Sequence, residues 1–220
     1  MRTSYLSQLK ELKEEILSMG EAIRHAIEDT LQALHTHNLI LAQEVINRDA
    51  EIDEKEKRIE NLCLHLFLTQ QPVASDMRIV SSALKMITDM ERIGDFAADI
   101  AEIVTKGGKT ATSYNIPFIE KMGGAVVKMV DGAIRSFTDF DLEKAKAVCA
   151  ADDEVDELFV GARDVLVGCI RQNENFAERA LDLMMVSKYL ERIGDHATNI
   201  AEWVIFSITG VHQNTEKGLF

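Results

Sequence analysis

The chain has 220 residues, 46% of them hydrophobic and 28% charged, with a formal net charge of −13. This composition is typical of a globular protein with a buried core, and the acidic excess argues against a nucleic-acid partner, which requires a basic surface. No apolar run approaches the roughly 20 residues that cross a bilayer, and the stretch "MRTSYLSQLKELKEE" has no apolar h-region of a signal peptide, so we predict a cytoplasmic protein without a transmembrane segment.

Apolar residues recur at spacings of three and four along almost the whole chain, which predicts helices and no strands. The first predicted helix starts at Tyr5 and ends near residues 35–38. Glycine-rich and polar residues at 106–113, "KGGKTATS", predict a loop between two sets of three helices, and Gly210 is expected to end the last helix. The other five predicted helices span residues 39–70, 74–105, 116–138, 142–171 and 176–208.

Two sequence elements occur twice in the same order. The stretch "ERIGDFAADIAE" at 91–102 returns as "ERIGDHATNIAE" at 191–202, with nine of twelve positions identical. Within the second helix of each set, "DAEID" at 49–53 is matched by "DDEVD" at 152–156. Short turns between helices make neighbours antiparallel. We therefore predict an all-α fold, a tandem pseudo-repeat of two antiparallel three-helix bundles at residues 1–107 and 114–210.

The repeated stretch places like charges on one side of its helix. At 100° per residue, Glu91, Asp95, Asp99 and Glu102 fall within an arc of about 80°. Apolar residues such as Ile93 occupy the opposite side and are expected to face the core. A solvated helix face usually mixes charges, because like charges four residues apart destabilise a helix.

Two interpretations of these acidic faces stay open on composition alone: a merely solvated surface, or a cation site. Carboxylates four apart on neighbouring helices offer the oxygen ligands that hard cations prefer, including iron, manganese, magnesium and, less selectively, zinc. Gly94 and Gly194 lie inside the repeated motif, where a mid-helix glycine costs about 1 kcal/mol relative to alanine. Their repetition predicts close approach of a neighbouring helix.

These motifs, together with "PVASDMRIVSSALKMITDMERIGD" at 72–95, resemble the PhoU family of accessory and regulatory proteins of phosphate transport. The resemblance covers nearly the whole chain. It implies a non-enzymatic negative regulator that couples the ATPase subunit of a phosphate ABC transporter to a sensor histidine kinase, and that commonly forms homodimers. It also implies multinuclear metal clusters, with iron or zinc favoured and manganese or magnesium as alternatives.

The resemblance assigns metal ligands to both halves of the chain. Asp99 and Asn199 are expected to reach the ions from the next helical turn. The Asp99-to-Asn199 difference, together with Phe159 and Arg163 where the first half has Glu56 and Glu60, predicts that the first site binds metal more strongly. The predicted ligands are Asp49, Asp53, Glu91, Asp95 and Asp99 in the first site, and Asp152, Asp156, Glu191, Asp195 and Asn199 in the second.

A di-metal hydrolase or oxidase on a helical bundle is the alternative function. Ferritin-like enzymes of this kind use a Glu-x-x-His motif. No glutamate in this chain has a histidine three residues later. We therefore prefer the regulator and expect Arg92 and Arg192 to orient the carboxylates.

Overall fold

The computed structural model of the chain describes residues 2–70, 74–107 and 117–211. Every long element in these ranges is a helix, which confirms the all-α prediction, and one short 3₁₀ turn precedes the last helix. None of the described helices combines the length and apolar character needed to span a membrane. The six helices are α1 (Arg2–Thr36), α2 (Leu39–Gln70), α3 (Ala74–Lys106), α4 (Pro117–Asp139), α5 (Leu142–Gln172) and α6 (Ala177–Thr209).

The helix ends differ from the predicted ends by only a few residues. Helix α1 begins at Arg2 rather than Tyr5, because the apolar pattern cannot place residues that precede the first core contact. Helix α4 begins at Pro117, a residue suited to a first helical turn. Gly210 ends α6 as predicted, with φ 77° and its N–H donating to the Phe206 carbonyl at 2.8 Å. Most of the predicted loop at 106–113 and the tail after Val211 lie outside the described residues.

The turns that follow α1 and α4 have the same construction. His37 and Phe140 both adopt left-handed backbone angles, with φ 52° and 57°. The next residue then caps the following helix. Asn38 accepts hydrogen bonds from backbone N–H groups at the start of α2, and Asp141 accepts one from Lys144 N–H at 3.0 Å. The shared turn makes α1 and α2, and α4 and α5, antiparallel pairs.

Each set of three helices packs on itself, and the two sets also pack on one another. Helices α1, α2 and α3 are in mutual contact, as are α4, α5 and α6, which agrees with two three-helix bundles. Helix α3 additionally packs on α6, and α1 on α4, so one core runs through both halves. Ile93 and Ile100 are buried in that core, as predicted. The exact division at 1–107 and 114–210 stays a prediction.

Two glycines allow α1 and α4 to approach closely. A Cβ atom on Gly20 would lie 2.5 Å from Ile134 Cδ1, and one on Gly123 would lie 2.5 Å from Leu31 Cδ1. In the register that aligns Asp49 with Asp152, Gly20 matches Gly123 and Leu31 matches Ile134. Each half therefore inserts an aliphatic side chain against the glycine of the other half, which makes the contact pseudo-symmetric.

This contact predicts a strong effect of one added methyl group. Gly20→Ala should lower the free energy of unfolding by about 1–3 kcal/mol, because the buried Ile134 would have to move. Gly124→Ala is the matched control, since a Cβ there meets nothing within 4 Å and should add up to about 1 kcal/mol of helix propensity. Urea unfolding of both variants measures the difference. Equal effects would contradict the close contact.

Candidate functional site

The first candidate cluster lies where α2 crosses the repeated motif of α3. Gly94 faces α2 so closely that a Cβ atom there would be 2.9 Å from Ile52 Cδ1 and 3.4 Å from Asp49 Oδ1. The absence of a side chain at Gly94 thus leaves room for Ile52 and lets α2 lie close to α3. This confirms the predicted close approach at Gly94, and it places the acidic residues of α2 beside those of α3.

Burial and neighbouring charges raise the pKa of two carboxylates in the first cluster. Burial raises the pKa of Asp49 to about 6, and the nearby charges of Asp95, Asp53 and Asp99 add to the rise. Burial likewise raises the pKa of Glu91, followed by the charge of Asp95. All five side chains are half-buried. The structure therefore brings together the five residues predicted for the first site.

Arg92 is the cation that lies against this cluster. Its Nη1 donates to Asp95 Oδ2 at 2.9 Å, and its Nε lies 3.5 Å from Glu91 Oε2. This confirms the predicted pairing of Arg92. Arg192 differs, because its guanidinium lies over the Phe96 ring, 5.9 Å from the centroid. The identical "ER" dipeptides thus place their arginines in different surroundings.

The second candidate cluster repeats this arrangement on α5 and α6. A Cβ atom on Gly194 would lie 3.5 Å from Val155 Cγ1 and 3.6 Å from Asp152 Oδ1, which are ordinary contact distances, so the predicted close approach does not recur there. The Asp152 carboxylate nevertheless occupies the place that Asp49 has in the first half. Partial burial of the carboxyl group, followed by the Glu191 charge, raises the pKa of Asp195, although the residue as a whole stays exposed. Burial also raises the pKa of Asp152, and the charge of Asp156 adds to the rise.

The second cluster is more exposed and has its own cation. Asp156 and Asp195 are exposed, whereas the matching Asp53 and Asp95 are half-buried. Lys188 pairs with Glu191 and lies over the Phe159 ring, 5.3 Å from the centroid. Sequence reasoning did not identify Lys188. Lys188 precedes Glu191 by three residues on the same helix, and this spacing could have predicted the ion pair.

Asn199 lies at the contact between α3 and α6. Its Nδ2 donates to Asp89 Oδ1 at 3.1 Å, and His196 Nδ1 lies 2.7 Å from the same oxygen. Tyr189 lies near Asp99 in the matching place, where burial and then the Asp99 charge raise the pKa of the Tyr189 hydroxyl. The repeated motif aligns Asp99 with Asn199 and Asp89 with Tyr189. Asp99 and Asn199 therefore occupy equivalent places where the two halves meet.

The carboxylates of each cluster are neighbours, but they do not converge on a point. Among the described residues, no group of three His, Cys, Asp or Glu side chains is arranged to hold a metal ion. Like charges repel, and Arg92 and Lys188 pair with carboxylates that ligation would require. The ligand assignments of both sites accordingly stay predictions.

The raised pKa of Asp49 predicts a pH effect in the metal-free protein. The pKa of Asp49 in the folded protein, about 6, exceeds the ordinary value of 3.8. The contribution of Asp49 to the free energy of unfolding is therefore most favourable below pH 4. That advantage disappears as the pH rises through 6. We expect Asp49→Asn to gain about 1 kcal/mol over wild type between pH 4 and 7, a figure reduced for solvent screening of a half-exposed carboxylate.

Chemical unfolding at several pH values, in the presence of chelator, measures this difference. The exposed Asp164→Asn variant is the control and should keep the pH dependence of the wild type. An Asp49→Asn curve parallel to wild type across this range would show that repulsion around Asp49 does not affect stability.

Both halves of the chain match the model of one known protein family. The model of the PhoU domain matches residues 16–104 and 119–204, one match for each half of the chain. The chain belongs to the PhoU family. The two matches also coincide with the internal repeat.

Relatives of known name cover nearly the whole chain. The "Phosphate-specific transport system accessory protein PhoU homolog" of Clostridium acetobutylicum is 35% identical over 95% of this chain and 96% of that protein. The protein of the same name from Pseudomonas aeruginosa is 33% identical over 93% of this chain and 85% of its own length. These names describe accessory proteins rather than enzymes, as we predicted from the resemblance.

Solved structures agree with the fold. The crystal structure of PhoU from Pseudomonas aeruginosa superposes with a TM-score of 0.87, at 32% identity, and covers 94% of this chain and 100% of that one. The regulatory PhoU of Streptococcus pneumoniae also gives a TM-score of 0.87, and at 24% identity it supports the fold alone. The paired three-helix bundles are therefore those of PhoU proteins.

Proposed function

We propose that this chain is a cytoplasmic, metal-binding negative regulator of phosphate uptake and of the phosphate-starvation response. In this proposal it couples the ATPase subunit of a phosphate ABC transporter to a sensor histidine kinase. Membership of the PhoU family supports the link to phosphate transport. One observation carries the metal-binding part: matched carboxylate clusters lie beside Gly94 and Gly194, at equivalent places in the two halves.

The donors of the first cluster fit hard or borderline cations. All five predicted ligands are carboxylates from two adjacent helices. The raised pKa values of Asp49 and Glu91 come first from burial and then from the charges of neighbouring carboxylates. Five carboxylates provide enough oxygens for more than one ion, and iron or zinc is the proposed occupant. Such ions would supply positive charge, and ligation would require Arg92 to release Asp95 and Glu91.

The donors of the second cluster fit less well. Asp152 and Glu191 are half-buried, but Lys188 compensates Glu191, and Asn199 would have to leave Asp89 before it could bind an ion. We propose that the second cluster binds metal ions more weakly, or binds fewer of them, than the first. Metal binding would neutralise both acidic faces, and the neutralised faces would dock on the transporter ATPase and the kinase. A homodimer is the proposed assembly.

Partner binding tests this function directly. Purified transporter ATPase subunit and the cytoplasmic region of the sensor kinase are titrated with metal-loaded wild type and with an Asp95→Ala/Asp195→Ala variant. We expect the variant to lose at least tenfold in affinity for one or both partners, because it removes one proposed ligand from each cluster. The control is Asp131→Ala/Asp164→Ala, which removes two aspartates outside both clusters.

Two results would contradict the proposal. If neither partner binds the wild type, the coupling role fails. If both partners bind the Asp95→Ala/Asp195→Ala variant as tightly as wild type, metal has no part in coupling and serves only stability.

A further inference from the structure

An open groove runs between α4 and α5 on the second half. It has a volume of about 530 Å³, and its lining is mostly apolar. Ala125 and Met129 line it from α4, while Val148 and Ala151 line it from α5. Val148 packs against Gly132 of α4, where a Cβ atom would lie 2.9 Å from Val148 Cγ2. Neither carboxylate cluster lines this groove.

The equivalent groove of the first half, between α1 and α2, is smaller and bridged by polar side chains. Its volume is about 270 Å³. Arg48 of α2 donates to Asp29 of α1 at 2.5 Å, and Lys55 of α2 donates to Ser18 of α1 at 2.8 Å. These two bonds cross the groove and hold its edges together.

The second half lacks the residues that form both bridges. In the register that aligns Asp49 with Asp152, Asp29 matches Gly132 and Arg48 matches Ala151. Lys55 likewise matches a leucine and Ser18 a lysine. The substitutions replace a cross-helix ion pair with two of the smallest residues. Gly124, Ala125 and Ala151 are the small residues on the walls of the open groove. Because small residues allow a helix to pack at short interaxial distance, the open groove suits a third helix.

The edge of the groove formed by α4 is positively charged. Lys121 and Lys128 are exposed, seven residues apart and therefore on the same side of the helix. Within the part of the chain that the structure describes, neither lysine forms an ion pair, although the chain carries a net charge of −13. Three other charged residues line the groove: Lys144 pairs with Asp139, Glu120 contacts His35, and Glu154 lies on the opposite edge, on α5.

We propose that this groove docks a helix of a partner protein. The proposed helix is apolar on the face that enters the groove, and it carries acidic residues seven apart on the edge beside α4. From residue 121 to residue 132, α4 offers about three turns, or roughly 16 Å, which is enough for one helical segment. This inference depends on the proposed coupling role only because it requires that a partner protein exists. It does not depend on metal binding.

The test fills the groove without disturbing the fold. A Cβ atom on Gly124 meets nothing within 4 Å, so Gly124→Leu should fold normally and occupy the groove. Gly161→Leu is the matched control, because Gly161 is an exposed glycine of α5, is equally open, and does not line the groove. Circular dichroism checks that both variants fold.

Each variant is titrated with the purified transporter ATPase subunit and with the cytoplasmic region of the sensor kinase. We expect Gly124→Leu to weaken one partner at least tenfold and Gly161→Leu to leave both within twofold of wild type. Lys121→Glu/Lys128→Glu should also weaken that partner at least tenfold, with less loss at high salt.

The possible results separate this proposal from the coupling role. If a partner binds wild type and all variants equally, the groove proposal is wrong while coupling stands. If no partner binds wild type, both are wrong. Sedimentation of wild type and Gly124→Leu completes the test: a change in oligomeric state with unchanged partner affinity would make the occupant a second copy of the chain, which also overturns the proposal.

Discussion

Addition of iron or zinc to metal-free protein is expected to raise its melting temperature by about 10–20 °C. The carboxylates beside Gly94 and Gly194 repel one another in the folded state, so a cation that binds there stabilises folded over unfolded chain. A ligand at 100 times its dissociation constant contributes about 2.7 kcal/mol per site. For a chain of this size, each kcal/mol corresponds to roughly 2–4 °C, and two sites give the expected range.

Thermal unfolding with and without metal measures this shift. The Asp95→Ala/Asp195→Ala variant should start from a higher melting temperature without metal, because it has fewer repelling charges, and should gain only a few degrees when metal is added. A metal-induced rise of the same size in wild type and variant would place the stabilising ion elsewhere in the molecule.

Removal of the matching glutamates from the two clusters is expected to have unequal effects on metal binding. Glu91→Ala should reduce metal affinity or the number of bound ions more than Glu191→Ala. In the first cluster all five carboxylates are half-buried, and Glu56 adds its charge near Glu91. In the second cluster Asn199 stands in place of a carboxylate, and Asp156 and Asp195 are exposed, so fewer and less shielded charges are available to a cation.

Metal titration followed by calorimetry compares the two variants. Glu157→Ala, at an exposed glutamate of α5 that is not among the predicted ligands, is the control and should titrate as wild type. Equal losses for Glu91→Ala and Glu191→Ala would contradict the predicted inequality between sites while leaving metal binding itself intact.

Much of the fold followed from local periodicity in the sequence. Long amphipathic helices repeat their core contacts every three or four residues, so the spacing of residues such as Ile93 and Ile100 shows which face is buried. The two acidic clusters could be predicted for the same reason. Glu91 and Asp95 lie four residues apart and therefore share one face of α3, whichever helix packs against it. The ends of the helices were predicted less accurately, because residues beyond the last core contact do not follow an apolar pattern.

The packing between the halves could not be predicted in the same way. Gly20 and Gly123 look like unfavourable mid-helix glycines until Ile134 and Leu31 are seen against them. Such contacts join residues more than 90 positions apart, and a single sequence carries no local signal for them. The hydrogen bond between Asn199 and Asp89 has the same origin. From the sequence alone, Asn199 is therefore recognised only as the neutral residue that aligns with Asp99.

Metal content tests the central claim most directly. The protein is purified without chelator, and its iron, zinc, manganese and magnesium are counted per chain by elemental analysis, beside the Asp95→Ala/Asp195→Ala variant purified in the same way. Our account predicts at least one iron or zinc ion per wild-type chain and a loss of most of it in the variant. Wild-type protein without stoichiometric metal, or a variant that retains all of it, would contradict the account.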